Sequence, residues 1–73
     1  MTTVNYYIED LATGLVVMEN GEMLPFLTEG HFNENEELIT VPKVFGLHEL
    51  ALDHIDALPE GEYRIFSRIV KKA

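Results

Sequence analysis

From Thr3 to Glu9 apolar and polar positions alternate. Val4, Tyr6 and Ile8 fall on one face, and Asn5, Tyr7 and Glu9 on the other. A period of two residues predicts a half-buried strand. Asp10 to Gly14 reads as a turn, and Leu15 to Glu19 as a second strand, apolar on both faces. Asn20-Gly21 then predicts a tight hairpin, since a two-residue type I′ turn needs positive φ at both central positions. Glu22 to Thr28 is the expected return strand. Pro25 within it lacks an N–H, so that strand is expected to be an edge or to bulge there. Glu29 to Glu36 is polar and turn-rich and predicts a loop, and Glu37 to Val41 a short strand ended by Pro42.

The period then changes. Leu47, Leu50, Ala51, Ile55 and Leu58 recur at helical spacing and predict an amphipathic helix with this stripe buried. Pro59 and Gly61 end it. Glu62 to Val70 alternates again, with Tyr63, Ile65, Ser67 and Ile69 on one face and Arg64, Phe66, Arg68 and Val70 on the other. The order β-β-β-β-α-β predicts an α+β fold: a small antiparallel sheet of four to five strands covered by one α-helix. No repeat, linker or low-complexity tract divides the chain, so residues 1–73 read as a single domain.

An apolar fraction of 47% suits a folded chain rather than a disordered one. At this size only about 60% of the unfolded surface is buried, and one core rarely supplies more than roughly 3–5 kcal/mol. With no cysteine, neither a disulfide nor a thiolate metal site reinforces it. Thirteen Asp/Glu against five Lys/Arg give a net charge of −8, which argues against a general nucleic-acid binder. The distribution refines that picture. Residues 1–42 hold eight acids and no base, whereas residues 43–73 hold five of each, ending in Arg64, Arg68, Lys71 and Lys72. The chain therefore reads as an acidic body with a basic C-terminal tail over about residues 68–73. The longest strongly apolar run, Leu15 to Met18, is far short of the ~20 residues of a membrane span, and the N-terminal segment lacks a signal-peptide pattern. A cytoplasmic protein with no membrane partner is expected.

Candidate chemistry is sparse. His48-Glu49-Leu50-Ala51-Leu52 begins like a zinc-protease helix but has Leu where the second histidine belongs. His48 and His54 differ by about 120° around a helix and do not converge; His31 falls in the acidic loop. No Ser has a flanking base motif, and no glycine loop is placed to cradle phosphate. Neither enzymatic activity nor a cofactor or metal is expected. The remaining candidates are protein-binding residues. Glu49, Asp53 and Asp56 share a stripe about 60° wide, which is either a solvated face or an acidic ridge for a basic partner. Leu52 lies beside it, as a satellite core residue or an interface anchor. Tyr7 faces away from the Val4 set. The alternation Arg64, Phe66, Arg68 suits base stacking, a protein hot spot, or cross-strand packing of Phe66 beneath arginine stems. Phe32 stands alone among Glu34, Glu36 and Glu37, either tucked back onto the sheet or offered to a partner.

The run Leu38-Ile39-Thr40-Val41, then Leu47-His48-Glu49-Leu50-Ala51-Leu52, then Pro59-Glu60-Gly61-Glu62-Tyr63-Arg64-Ile65 spans roughly the last half of the chain. With the acidity and length, it resembles the small regulators that lytic bacteriophages make to take over host RNA polymerase. The resemblance implies a protein that docks on the large β and β′ subunits of the bacterial enzyme and inhibits initiation by displacing the σ factor. It further implies antitermination near the RNA exit channel, alongside an elongation factor, with RNA contact by the basic C-terminal strand and a monomer when free. It carries over no individual residue, because the group has no shared signature to align. The alternative reading is an acidic DNA mimic that occupies a host nuclease, glycosylase or defence complex through Glu49, Asp53, Asp56 and the Glu34–Glu37 cluster. A third is a structural homodimer that pairs edge strands.

Overall fold

Alternation at the two ends of the chain produces its two long strands, β1 (Thr2–Asp10) and β6 (Tyr63–Lys71). The computed structural model describes residues 2–71. β1 and β6 pair antiparallel without a register shift, from Thr2 opposite Lys71 to Asp10 opposite Tyr63. The other strands are short: β2 (Val16–Val17), β3 (Met23–Leu24), β4 (His31–Phe32) and β5 (Leu38–Thr40), with one helix, α1 (His48–Ile55). The α+β class is as the pattern predicts, with a difference in arrangement. β3-β2-β1-β6 form a four-stranded sheet, while β4 and β5 form a separate two-stranded one. The segment expected to be a loop, Glu29 to Glu36, contains β4, and His31 in it bonds through Nε2 to the Pro25 carbonyl at 2.8 Å. Arg68 to Lys71 belong to β6, so the basic tail begins inside a strand; Lys72 and Ala73 lie outside the described residues.

β1 and β2 meet only at Glu9 opposite Val16 and then diverge. The chain fills the gap with its own segment between β5 and α1. Lys43 N donates to the Val17 carbonyl, Glu19 N donates to the Val41 carbonyl, and Tyr6 and Phe45 exchange bonds of 3.0 and 2.9 Å. Pro42 and Phe45 are buried in this insertion. The wedge satisfies backbone groups that the divergence would otherwise leave open inside the protein, where each would cost about 1–3 kcal/mol.

The hairpin at Asn20-Gly21 forms, but not with a type I′ turn. Gly21 has φ 90°, and Asn20 is not in the left-handed region. Gly21 N donates to the Met18 carbonyl and Met18 N to the Glu22 carbonyl. This is a three-residue loop, a type I turn followed by one left-handed residue. Asn20 stabilises it by accepting from Glu22 N at 2.9 Å. The β4–β5 loop repeats the device: Glu36 N donates to the Asn33 carbonyl and Asn33 N to the Glu37 carbonyl, but the left-handed position is Glu36, φ 61°.

The four-stranded sheet has a core on each face. On one, Ile8, Val17, Phe45 and Ala51 are buried with Ile55, Leu58, Tyr63 and Ile65 packed around them, under α1. On the other, Tyr7, Val16 and Met18 are covered by Leu24, Phe26 and Phe66. Among the described residues no helix covers this second face; the chain after β3 does. Pro25 ends β3 and the next residue, Phe26, folds back. Of the apolar stripe expected to be buried on α1, only Ala51 is fully so, while Leu47 and Leu50 are 61% and 51% exposed. The helix is short and rests on β1 and β6, so a narrow platform leaves both flanks uncovered.

Gly30 sits where the chain enters the small sheet. A Cβ there would lie 2.7 Å from the Thr40 carbonyl oxygen, and the φ is +93°; at Gly21 the φ is similar but the space is open. Gly21→Ala should therefore cost about 1–2 kcal/mol from backbone strain alone. Gly30→Ala should cost clearly more, and Glu36→Gly should gain roughly 1 kcal/mol by relieving its left-handed residue. Urea unfolding of the three variants checks this order; equal losses for the two alanines would contradict it.

Candidate protein-binding surfaces

Cross-strand register brings Tyr7 opposite Phe66 and Glu9 opposite Arg64. The Tyr7 and Phe66 rings stack at 5.3 Å between centroids, and Phe26 meets both edge-on at 4.8 and 5.2 Å. Such aromatic pairs contribute about 0.5–1.5 kcal/mol beyond burial. The arginines lie over this cluster: Arg64 is 5.8 Å from the Phe66 ring, and Arg68 is 5.7 and 5.8 Å from Phe26 and Phe66. Arg64 also donates from Nε to Glu9 Oε1 across the strand pair. Tyr7 is only 5% exposed, so what this side of the sheet presents to solvent is chiefly Arg64 and Arg68, with Phe66 half-buried beneath them.

Glu49, Leu52 and Asp53 of α1 and Asp56 at its C-cap are exposed, on the opposite side of the sheet. Arg64 and Arg68 are exposed on the face bearing Tyr7 and Phe66. These two groups of charged side chains lie on opposite faces of the sheet, although Glu9 is on the arginine face, bonded to Arg64, and Lys43 is on the helix side, over Phe45. Phe32 lies apart from both groups, exposed in the β4–β5 hairpin opposite Leu38, which is exposed as well. The structure therefore gathers Tyr7, Arg64, Phe66 and Arg68 into one surface. Glu49, Leu52, Asp53 and Asp56 make a second, and Phe32 belongs to neither.

Two contributors escape the sequence reading. Phe26 completes the aromatic cluster, and its only signal is that it follows the strand-ending Pro25. Leu50 is the other: with Asp53, His54 and Ala57 it faces Lys43 to Gly46 across an open groove of about 500 Å³. Helical periodicity alone placed it in the core. Among the described residues no group of three or more His, Asp or Glu gathers as a metal site, and no helix is long and apolar enough to cross a membrane.

Phe26→Ala should remove the edge-on partner of two rings and one platform for Arg68. The expected loss is about 2–4 kcal/mol, most of what a core of this size supplies. Thermal or urea unfolding measures it, and a loss below about 1 kcal/mol would mean that the helix-free face is not a core. Compared with protein-family models, with curated proteins and with solved structures, the chain matches none.

Proposed function

We propose that this chain is a regulator that works by docking on a protein machine, and that the machine is bacterial RNA polymerase. In this reading a phage-made protein binds the β and β′ subunits, displaces σ from promoter recognition, and suppresses termination during elongation. It is not an enzyme. The observation that supports it is the placement of two charged groups on opposite faces of the sheet: the carboxylates of Glu49, Asp53 and Asp56 on the helix side, the guanidinium groups of Arg64 and Arg68 on the other. Polymerase surfaces that hold nucleic acid are basic, so an acidic face would be steered to them. The arginine side would remain available for RNA or an acidic segment.

Purified protein added to a σ-dependent reaction with bacterial RNA polymerase should abolish promoter transcripts and raise terminator read-through. If both stay unchanged while the protein is folded, the reading fails. The exposed acid stripe also suits a DNA mimic, and charge reversal separates the two. For a mimic, Lys at Glu49, Asp53 and Asp56 should abolish inhibition of a DNA-binding target while changes at Arg64 and Arg68 leave it intact. For the polymerase regulator both sides should contribute.

A further inference from the structure

The outer edge of the four-stranded sheet is open, and the hydrogen-bond pattern says which of its groups are unpaired. Tyr6 uses its N–H and carbonyl to bond Phe45, on the β2 side of β1. In an antiparallel ladder the direction of these groups alternates residue by residue. Tyr6 opposite Ser67 is therefore a non-bonded pair, and the N–H and carbonyl of Ser67 point away from β1. The same parity holds for Tyr63, Ile65 and Ile69, while Arg64, Phe66 and Arg68 bond inward to Glu9, Tyr7 and Asn5. The bond from Leu11 N to the Glu62 carbonyl continues the same phase. Among the described residues, no strand lies beyond β6 in the sheet. Edges of this kind are usually blunted by a proline, a bulge or a covering element. The ladder here runs without a bulge, and β6 contains no proline.

The two rims of the edge differ in chemistry. One carries Arg64 and Arg68. Among the described residues Arg68 has no carboxylate at ion-pair distance, and the Arg64 side chain is 59% exposed despite its bond to Glu9. The other rim carries Tyr63, Ile65 and Ile69 with the exposed Ser67 among them. Ile69 is 67% exposed, and Leu52 of α1 is 53% exposed. Leu50 and His54 face Lys43 to Gly46, which lie on the β2 side of β1. Leu52 sits two residues on from Leu50, about 200° around the helix, and so projects from the flank away from that groove. A strand laid along β6 would meet cations on one side and the exposed Ile69 on the other, on the face that also carries Leu52 of α1.

We infer that the β6 edge accepts, as a fifth antiparallel strand, an extended segment of another protein in which acidic and apolar residues alternate. Acidic side chains come opposite Arg64, Phe66 and Arg68, on the rim that the two arginines line. The residues between them, opposite Ile65 and Ser67, bond to the open backbone and carry apolar side chains on the Leu52 and Ile69 side. Main-chain bonds supply affinity and the alternate side chains supply selectivity. Charge complementarity favours such a segment over a second copy of this chain, which carries −8 overall and would bring its own arginines to the same edge. The inference rests on the edge and its rims, not on the polymerase reading. Peptide binding without any effect on transcription would remove only the latter.

The test is amide hydrogen exchange by NMR on the full chain, alone and with a capped peptide of alternating Glu and Val. In the free protein Phe66 and Arg68 amides should exchange slowly, and Ser67 and Ile69 amides fast. The peptide should slow Ser67 and Ile69 at least about tenfold, the signature of new bonds at open-edge positions, while a Lys-for-Glu peptide should not. Ser67→Pro removes an outward N–H, a change an edge strand tolerates, and should abolish the protection with the β1 ladder intact. Should that variant not fold, Arg68→Glu decides: it should weaken the Glu peptide roughly tenfold and strengthen the Lys one. Equal effects of the two peptides, no protection at Ser67 and Ile69, or protection that appears on self-association without peptide would each overturn the inference.

Discussion

Everything else in this molecule hangs on the ladder between β1 and β6. It joins residues 2–10 to residues 63–71 and so closes nearly the whole chain into one loop. Loop-closure entropy grows only slowly with length, so the long connection adds little to that cost. It does place the principal ladder among contacts of high sequence separation, which slows folding relative to local pairing. The benefit is geometric. Side chains alternate across a strand pair that has a core on both faces, so one run of backbone bonds fixes Tyr6, Ile8 and Ile65 on the helix side and Tyr7 and Phe66 on the other.

The remaining strands are too short to form a sheet unaided. β2 touches β1 at one pair and then parts from it, and the segment from Val41 to Phe45 enters the gap and bonds to both. That insertion brings the chain back over the sheet and delivers it to α1. The helix is thus held on one face by a wedge, while the opposite face is closed by Phe26 rather than by a second helix. One consequence is functional. Because α1 and its C-cap carry Glu49, Asp53 and Asp56 and β6 carries Arg64 and Arg68, the two-faced core holds this acid stripe and this arginine pair on opposite sides.

What was legible in the sequence follows from the range of the interactions involved. Period-two alternation gave β1 and β6 almost to their ends, and a helical period gave α1, because each is a local signal reinforced by burial. Asn20-Gly21 announced a hairpin but not its loop: the type I turn with Gly21 at the left-handed position depends on how Met18 and Glu22 face one another. The equivalent position in the next hairpin is Glu36, and nothing in its identity marks a left-handed backbone. The wedge was invisible, since Val41 to Phe45 gains its bonds from residues over twenty positions away. For the candidate surfaces, Arg64, Phe66 and Arg68 were readable from alternation alone. Phe26 was not, because its place is set by a return over the sheet. Leu47 and Leu50 were misplaced because periodicity reports which side of a helix is apolar, not how wide a platform lies beneath it.

That narrow platform links stability to binding. A chain of this size has little apolar burial to spare, yet Leu47, Leu50, Leu52 and Ile69 remain more than half exposed. These side chains contribute little to the fold by itself. A partner that covers them, or that extends the sheet along β6, would bury surface the free protein leaves in water. Binding of that kind stabilises the folded state in proportion to the logarithm of partner concentration over the dissociation constant. The fold and its docking surfaces therefore compete for the same limited set of apolar residues. The sequence resolves that competition by keeping Ile8, Val16, Val17 and Met18 inside and leaving the helix flanks and the β6 edge outside, where a second protein can complete them.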